Sequence, residues 1–488
     1  MFSKLKKIAN KIGKKGLVAL IILAAVDVFV IAAPYYLRNI FPNLNVSMHV
    51  TTNDIAIFTA IIGWVTLITQ LPGGWLADKI SSKKLTALAS LTTGLLTIWW
   101  AILILTGRPE ISGIENQVET VIKAQQSILW QYYIIYVGWG ISSTLIFWTP
   151  LWKLVSQQAK KEDQGLAYGI QGASNGIIGL FLVFLAGLLA TFLGTSVVQG
   201  GIGFEPAFAI FVFLIAGYLI ALSVMVLFWV PEYTTKEKFA IDFKIFFAVM
   251  KNPRIWLNSF FVMGMYMFQS VFAFYLLQFI RTLGADAGVT SAIPTLAIIL
   301  IVIGGLRTYA FRFLVSAPVG HYADKAKSYI YILVIALGLG FIVTGVFLLV
   351  PGFVPFNELS LTLRIVIIAI LIVLFSIAGI LSWVMVTLRY ATIGELPIPK
   401  KSYASTTALI SFVAFSPDAW FYTIAGGIGS RFEVEGRLNQ EGLTIILGFA
   451  IGVAIFGWLC GVILFIWNKI ELKKLGKTNY RWRELQNT

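Results

Sequence analysis

Charge is scarce in this chain. Only 12% of its 488 residues are Asp, Glu, Lys or Arg, about half the share of an ordinary soluble domain. A soluble protein of this length needs a charged surface, so water is excluded as the main outer solvent. Cysteine is scarcer still. The single Cys460 sits inside an apolar run, which excludes an intramolecular disulfide and a cysteine-based metal centre. The two histidines, His49 and His321, lie far apart and form no zinc pattern. No G-x-x-x-x-G-K-[ST] phosphate loop, H-E-x-x-H helix or G-x-S-x-G elbow occurs, so no nucleotide-driven or hydrolytic chemistry is visible. The expectation is a protein that is not an enzyme, with no cofactor and no metal.

What is present is apolar: 58% of the residues are hydrophobic. A helix needs roughly 20 apolar residues to cross the hydrocarbon layer of a bilayer. Runs of that kind fall at 17–37, 53–76, 84–106, 128–152, 166–192, 207–230, 255–280, 292–319, 329–350, 363–388, 403–428 and 442–467. This predicts an all-α membrane protein with 12 transmembrane helices. Breaks such as Phe41-Pro42-Asn43, Gly107-Arg108-Pro109 and Pro351-Gly352 separate the runs. Two polar stretches exceed ordinary turns: 107–127, with Glu110, Glu115 and Glu119, and 231–254. The first run follows Lys4, Lys6, Lys7, Lys11, Lys14 and Lys15, as a signal peptide would. Asp27 interrupts that run and eleven more follow, so it is read as the first span. The leader is either an orientation signal or a short amphipathic helix with Phe2, Leu5, Ile8 and Ile12 on one side.

The net charge of +15 could signify nucleic acid, so the placement of the basic residues decides. With the N-terminus inside, the inner segments hold 28 of the 37 Lys and Arg residues. The outer segments hold 7: Arg38, Arg108, Lys123, Arg281, Arg364, Arg431 and Arg437. Arg307 and Arg312 fall within the eighth run. That bias predicts a multi-pass protein of the cell membrane with both termini cytoplasmic. It explains the basic balance with lipid as the surrounding and no nucleic acid partner.

The chain repeats itself. Pro72-Gly73-Gly74-Trp75-Leu76-Ala77-Asp78-Lys79 closes the second run, and Pro318-Val319-Gly320-His321-Tyr322-Ala323-Asp324-Lys325 closes the eighth. Pro, Gly, Ala, Asp and Lys coincide at an offset of 246 residues. A weaker echo links Tyr36-Leu37-Arg38 to Phe279-Ile280-Arg281 at an offset of 243. These matches predict an N-terminal six-helix bundle over 1–230, a cytoplasmic central loop over 231–254, and a C-terminal six-helix bundle over 255–488, related as a parallel repeat.

The segment Gly74-Trp75-Leu76-Ala77-Asp78-Lys79-Ile80-Ser81-Ser82-Lys83-Lys84 resembles the loop signature of the major facilitator superfamily, G-x-L-A-D-R/K-x-G-R-R/K. Ser81 stands where Gly is usual and Ser82 where Arg is usual. The resemblance implies two pseudo-symmetric bundles and secondary transport by alternating access. It also implies a gating role for Gly74, Asp78 and Lys79, repeated by Gly320, Asp324 and Lys325. The plainer alternative is that both aspartates cap a tight turn beside lysines.

Four ionisable residues lie within apolar runs. Counting 1.5 Å per residue from the inner end, Arg312 is about 12 Å deep, Asp27 about 16 Å, Arg307 about 20 Å and Asp418 about 22 Å. A charge near the bilayer centre costs roughly 2.5–3.5 kcal/mol on insertion scales, so each needs a polar partner or cavity. Arg307 and Arg312 point about 140° apart on an ideal helix, and Gly304-Gly305 offers a loose segment for a bend. Two readings stand side by side: pairing of Arg with Asp that locks the bundle, or an anion held by a guanidinium fork. Asp27 and Asp418 are the proton-coupling candidates.

Arg307-Thr308-Tyr309-Ala310-Phe311-Arg312 is similar to the eighth span of organophosphate and sugar-acid permeases, as are Phe415-Ser416-Pro417-Asp418 and Arg389-Tyr390 running to Glu395. This implies small organic anions as cargo. Tyr36, Arg38, Gln131, Tyr136, Gln269 and Tyr275 are further substrate-binding candidates, with interface-belt or packing roles as the alternative. Gly169, Gly172, Gly176 and Gly179 suit close helix packing. The expected partners are a small-molecule substrate, with protons or a counter-transported anion, and the chain is expected to be a monomer. A carrier of a neutral solute, an exporter and a membrane scaffold are the competing readings.

Overall fold

The computed structural model describes the chain apart from residue 1 and residues 42–43, 108–116, 160–163, 190–203, 234–242, 353–357, 399–402, 435 and 477–488. Glu110, Glu115 and much of the 231–254 loop lie outside the described residues. So do the side chains of Asp78, Asp324 and Lys325 and the surroundings of Gly320.

Twelve described helices are long and apolar enough to span a membrane. The first six are Ile12–Ile40, Thr52–Gln70, Ser82–Thr106, Ser127–Gln157, Ala167–Leu189 and Pro206–Trp229. The second six are Pro253–Asp286, Leu296–Ser316, Tyr329–Leu349, Leu361–Leu388, Ser405–Gly429 and Gln440–Lys474. They are called spans one to twelve below. In lipid a backbone can satisfy its polar groups only internally, which is why the chain is helical wherever it is apolar. Between spans, polar caps take over. Thr51 and Asp54 form a reciprocal capping box at span two, and Ser81, Asn252, Ser360 and Asn439 each accept a backbone N–H at the start of another helix. At the start of span one the helix bends at Gly13, whose φ of 79° is a conformation that only glycine adopts cheaply.

Span five shows how one helix serves two solvents. Gln171, Asn175, Leu182 and Ala186 are buried, while Ile177, Phe181 and Phe184 are exposed. Steps of three, four and seven residues keep each set on its own face. Most of the exposed large hydrophobic side chains of the chain lie on such lipid-side stripes.

The chain forms two compact units: Met1–Ala240 with Leu300–Ala310, and Ile241–Ile299 with Phe311–Thr488. Span eight is therefore divided just after a π-turn, Leu306–Ala310. Span one carries a π-turn at Ala32–Tyr36 and span four another at Ile141–Trp148. Pro34 explains the first, since it has no N–H to donate to the preceding turn. Span seven breaks at Ser270 and span eleven at Ser416, the latter ahead of Pro417. Such interruptions recur at functional sites in helical proteins.

Two expectations about glycine change. Gly304 and Gly305 do not loosen span eight. A Cβ on Gly304 would meet the Asn39 carbonyl oxygen at 2.6 Å, and one on Gly305 would meet Val183 at 2.1 Å. The pair is there for close packing, and the irregularity lies in the π-turn that follows. Of the span-five glycines, Gly179 is tightly packed, with the Tyr309 ring 2.0 Å from an added Cβ, whereas Gly169 and Gly172 have nothing within 4 Å.

Candidate functional site

In the first unit, Asp27 is 5% exposed and accepts two hydrogen bonds on Oδ2. Gln171 Nε2 donates at 2.9 Å and Asn175 Nδ2 at 2.7 Å. The donors stand four residues apart on span five and so share one face of it. Amide donors make a buried carboxylate tolerable where bare lipid would not.

Arg38 follows the π-turn of span one, is 5% exposed, and donates from Nη1 to the Thr59 hydroxyl at 2.5 Å. It is also an electrostatic neighbour of the buried Tyr136 hydroxyl, so two of the substrate-binding candidates come together. Phe58 packs between Tyr132 and Tyr136. Tyr36 meets Tyr309 edge to face, with ring centroids 5.8 Å apart. Tyr309 in turn lies two residues after Arg307, which is 4% exposed within the π-turn of span eight. Arg38, Tyr36, Tyr136 and Arg307 therefore belong to one compact unit. Gln131 is engaged differently: its Oε1 accepts from Trp99 Nε1 at 2.9 Å.

In the second unit, Asp418 is 6% exposed, and both its oxygens are held. Tyr266 donates to Oδ2 and Ser270 to Oδ1. Those donors also stand four residues apart, here on span seven around its break. Gln269, between them, accepts a hydrogen bond from Arg389 Nη1 at 2.8 Å. The Arg389 guanidinium lies 5.1 Å from the centroid of the Tyr390 ring and 5.1 Å from that of Phe415. Arg312 is half-buried above Trp383, 5.6 Å from its ring centroid. Tyr275 is buried and stacked on Tyr422 at 5.7 Å.

Arg389 stood out in the sequence only through the resemblance of Arg389-Tyr390 to permeases and was not among the substrate-binding candidates. It follows a span rather than interrupting one, so no run of apolar residues flagged it. Only the fold brings residues 269, 389 and 415 together.

The region around Asp78 and Asp324 shows a second duplicated arrangement. Ser81 Oγ and the Ser82 N–H both donate to Glu232 at the start of span three. Ser328 Oγ and the Tyr329 N–H both donate to Glu395 at the start of span nine. A carboxylate at a helix N-terminus satisfies free N–H groups and suits the positive end of the helix dipole. Lys153 Nζ donates to the Ala77 carbonyl at 2.7 Å, tying span four to the segment that bears Asp78. Among the described residues, no three His, Cys, Asp or Glu side chains gather as a metal site would require.

Comparison with known proteins places this architecture. A protein of Mycoplasma pneumoniae (strain ATCC 29342 / M129), described as uncharacterized, is 43% identical over 494 residues, covering 99% of this chain and 98% of the relative. A bacterial homologue of the lysosomal transporter Spinster, solved inward-facing and unoccupied, superposes with a TM-score of 0.61 at 13% identity, over 93% of this chain and 97% of its own. The nucleoside transporter NupG gives 0.60 at 12% identity, over 92% and 99%. A POT family transporter in complex with 5-aminolevulinic acid gives 0.57 at 12% identity, over 94% and 98%. At these identities the likeness is one of fold. The profile of the Major Facilitator Superfamily matches residues 16–421, and with twelve spans around buried polar clusters the chain belongs to that superfamily of membrane transporters.

Proposed function

We propose that this transporter is a secondary carrier of small organic anions, bearing carboxylate or phosphate groups, and that it works by alternating access with proton coupling or anion exchange. The observation that carries this is Arg307, 4% exposed inside the π-turn of span eight. A guanidinium is held at such depth, at roughly 2.5–3.5 kcal/mol on insertion scales, where it meets something polar. Its planar fork matches carboxylate and phosphate oxygens. Arg38, beside Tyr136 and Thr59, supplies a second buried guanidinium in the same unit.

In this reading Asp27 and Asp418 are the groups that take a proton during the cycle. The segments holding Asp78 with Lys79 and Asp324 with Lys325 act as gates at the inner membrane face. The excess of Lys and Arg on one set of loops supports a cytoplasmic position for that face and for both termini. The solved relatives carry different cargoes, so the fold does not choose among solutes and the buried arginines must.

A ligand that binds the folded form stabilises it, by about 2.7 kcal/mol at a hundred times its Kd. Thermal unfolding of the purified protein should therefore shift upward with glycerol 3-phosphate or glucuronate and not with glycerol or glucose. A shift with the neutral partners alone would establish the neutral-solute reading instead.

A further inference from the structure

We infer that Arg389 binds the oxyanion of the solute within the second unit, through a guanidinium held over the faces of two aromatic rings. The inference rests on the organic-anion reading above and assigns it to a residue.

The described arginines of this unit differ in what receives their protons: Arg281 donates from Nη1 to the Gln278 side-chain oxygen at 3.3 Å, and Arg312 lies above Trp383. Arg254 is paired with Glu471, and Arg437 with Asp286 at 3.1 Å. Arg364 donates from Nε to the Leu359 carbonyl at 3.0 Å and from Nη1 to the Ala287 carbonyl at 2.9 Å. Arg389 has a single neutral acceptor, the Gln269 side-chain oxygen, and the faces of Tyr390 and Phe415. Its Nε is buried and lacks an acceptor among the described residues. Two buried acidic groups of this unit are engaged by other donors: Glu395 by Ser328 and Tyr329, and Asp418 by Tyr266 and Ser270.

Each surrounding contact fixes the guanidinium without neutralising it. Ring faces attract a cation and restrict its plane, leaving its edge for in-plane donation. Phe415 is itself held by the edge of Tyr266, with centroids 4.8 Å apart, and the Tyr390 hydroxyl is bonded to Ser411 at 2.7 Å. Gln269 occupies one donor and sets the rotation of the fork. The result is a positioned cation with spare in-plane donors at the breaks of spans seven and eleven. A carboxylate or a phosphate satisfies that edge with two parallel hydrogen bonds.

Such chemistry could be met by a soluble solute or by a lipid phosphate. We assign the solute, because Gln269, which orients the guanidinium, is flanked in the chain by Ser270 and lies three residues from Tyr266, the two hydroxyls that hold the buried Asp418.

The test is equilibrium binding by full-length protein in detergent, with glycerol 3-phosphate, glucuronate, inorganic phosphate and neutral glycerol as probes. Wild-type protein should bind at least one of the soluble anions and not glycerol. Arg389→Gln should weaken that binding at least tenfold. Arg389→Lys, which keeps the charge and loses the fork, should weaken it at least threefold and serves should the glutamine variant fail to fold. Arg431→Gln, at an exposed site, should bind as wild type. Anion binding left intact in both Arg389 variants would overturn the assignment and leave the anion reading standing. Binding of glycerol alone by the wild type would overturn both. Binding of phosphatidylglycerol micelles that soluble anions do not compete away would show a lipid head-group site and overturn the solute assignment.

Discussion

Two buried aspartates, Asp27 and Asp418, are gripped in reciprocal ways. In the first unit the acid, Asp27, stands on span one and its donors, Gln171 and Asn175, on span five. In the second the acid, Asp418, stands on span eleven, the fifth of its six, and its donors, Tyr266 and Ser270, on span seven, the first. Asp27 and Ser270 are 243 residues apart, as are Asn175 and Asp418, and as are Arg38 and Arg281. In both cases two donors four residues apart close on one acid. The repeat has thus preserved a polar clasp between the first and fifth helices while the charge changed sides. What duplicates is the position, not the residue.

The donors differ too, and that difference has consequences. Both amides act on one oxygen of Asp27, whereas the two hydroxyls take one oxygen each of Asp418. A hydroxyl can turn about one bond and accept where it donated, while an amide must flip as a whole. The hydroxyl clasp should therefore tolerate loss or protonation of its acid better than the amide clasp.

Replacing the acids tests this with the largest effect. Asp27→Leu strands two buried amide donors and should lower stability by about 2–4 kcal/mol, read as the unfolding midpoint in detergent. Asp418→Leu should cost about 1 kcal/mol less, because a stranded serine hydroxyl can bond back to its own helix. Equal losses would break the contrast. Next in size is Gly179→Ala on span five, where the added methyl collides with the Tyr309 ring and overpacking should cost about 1–3 kcal/mol. The exchange Asp27→Asn with Asn175→Asp moves the charge to span five, as in the second unit. It should return stability to within about 1 kcal/mol of wild type, and each single change should be worse than the pair, because the two sites are coupled. A double variant no better than its parents would show that the matching spacings are coincidental. The smallest effect is expected for Gly169→Ala, with open space around it, which should stay within about 1 kcal/mol of wild type.

Much of this fold could be read from the chain, because lipid enforces a simple rule. A helix crossing hydrocarbon must be apolar over its length, and the twelve runs fall within a few residues of most observed spans, although spans one, four, seven and twelve extend further and span two stops sooner. The repeat was legible because Pro72 to Lys79 and Pro318 to Lys325, the last turns of helices Thr52–Lys79 and Phe311–Lys325, carry matching residues at one spacing. The site was legible only in part. Charges inside apolar runs stand out, so Asp27, Arg307 and Asp418 drew notice. The amides and hydroxyls that hold the acids did not, because Gln171, Asn175 and Ser270 carry no charge and lie over 140 residues from their partners. Arg389 drew notice only through a resemblance and not as a binding residue, since a cation just past a helix end is what an ordinary loop displays. The π-turns left no reliable trace, apart from Pro34, because they depend on what packs alongside.

Uptake by proteoliposomes is the most direct check on the central claim that an anionic solute is carried. Vesicles holding the purified protein, and matched vesicles without it, would be given radiolabelled glycerol 3-phosphate, glucuronate, glycerol and glucose. Accumulation of a charged member of the set above the protein-free level, with glycerol and glucose at that level, is the predicted result. Protein-dependent entry of glycerol or glucose with both anions excluded would contradict the account.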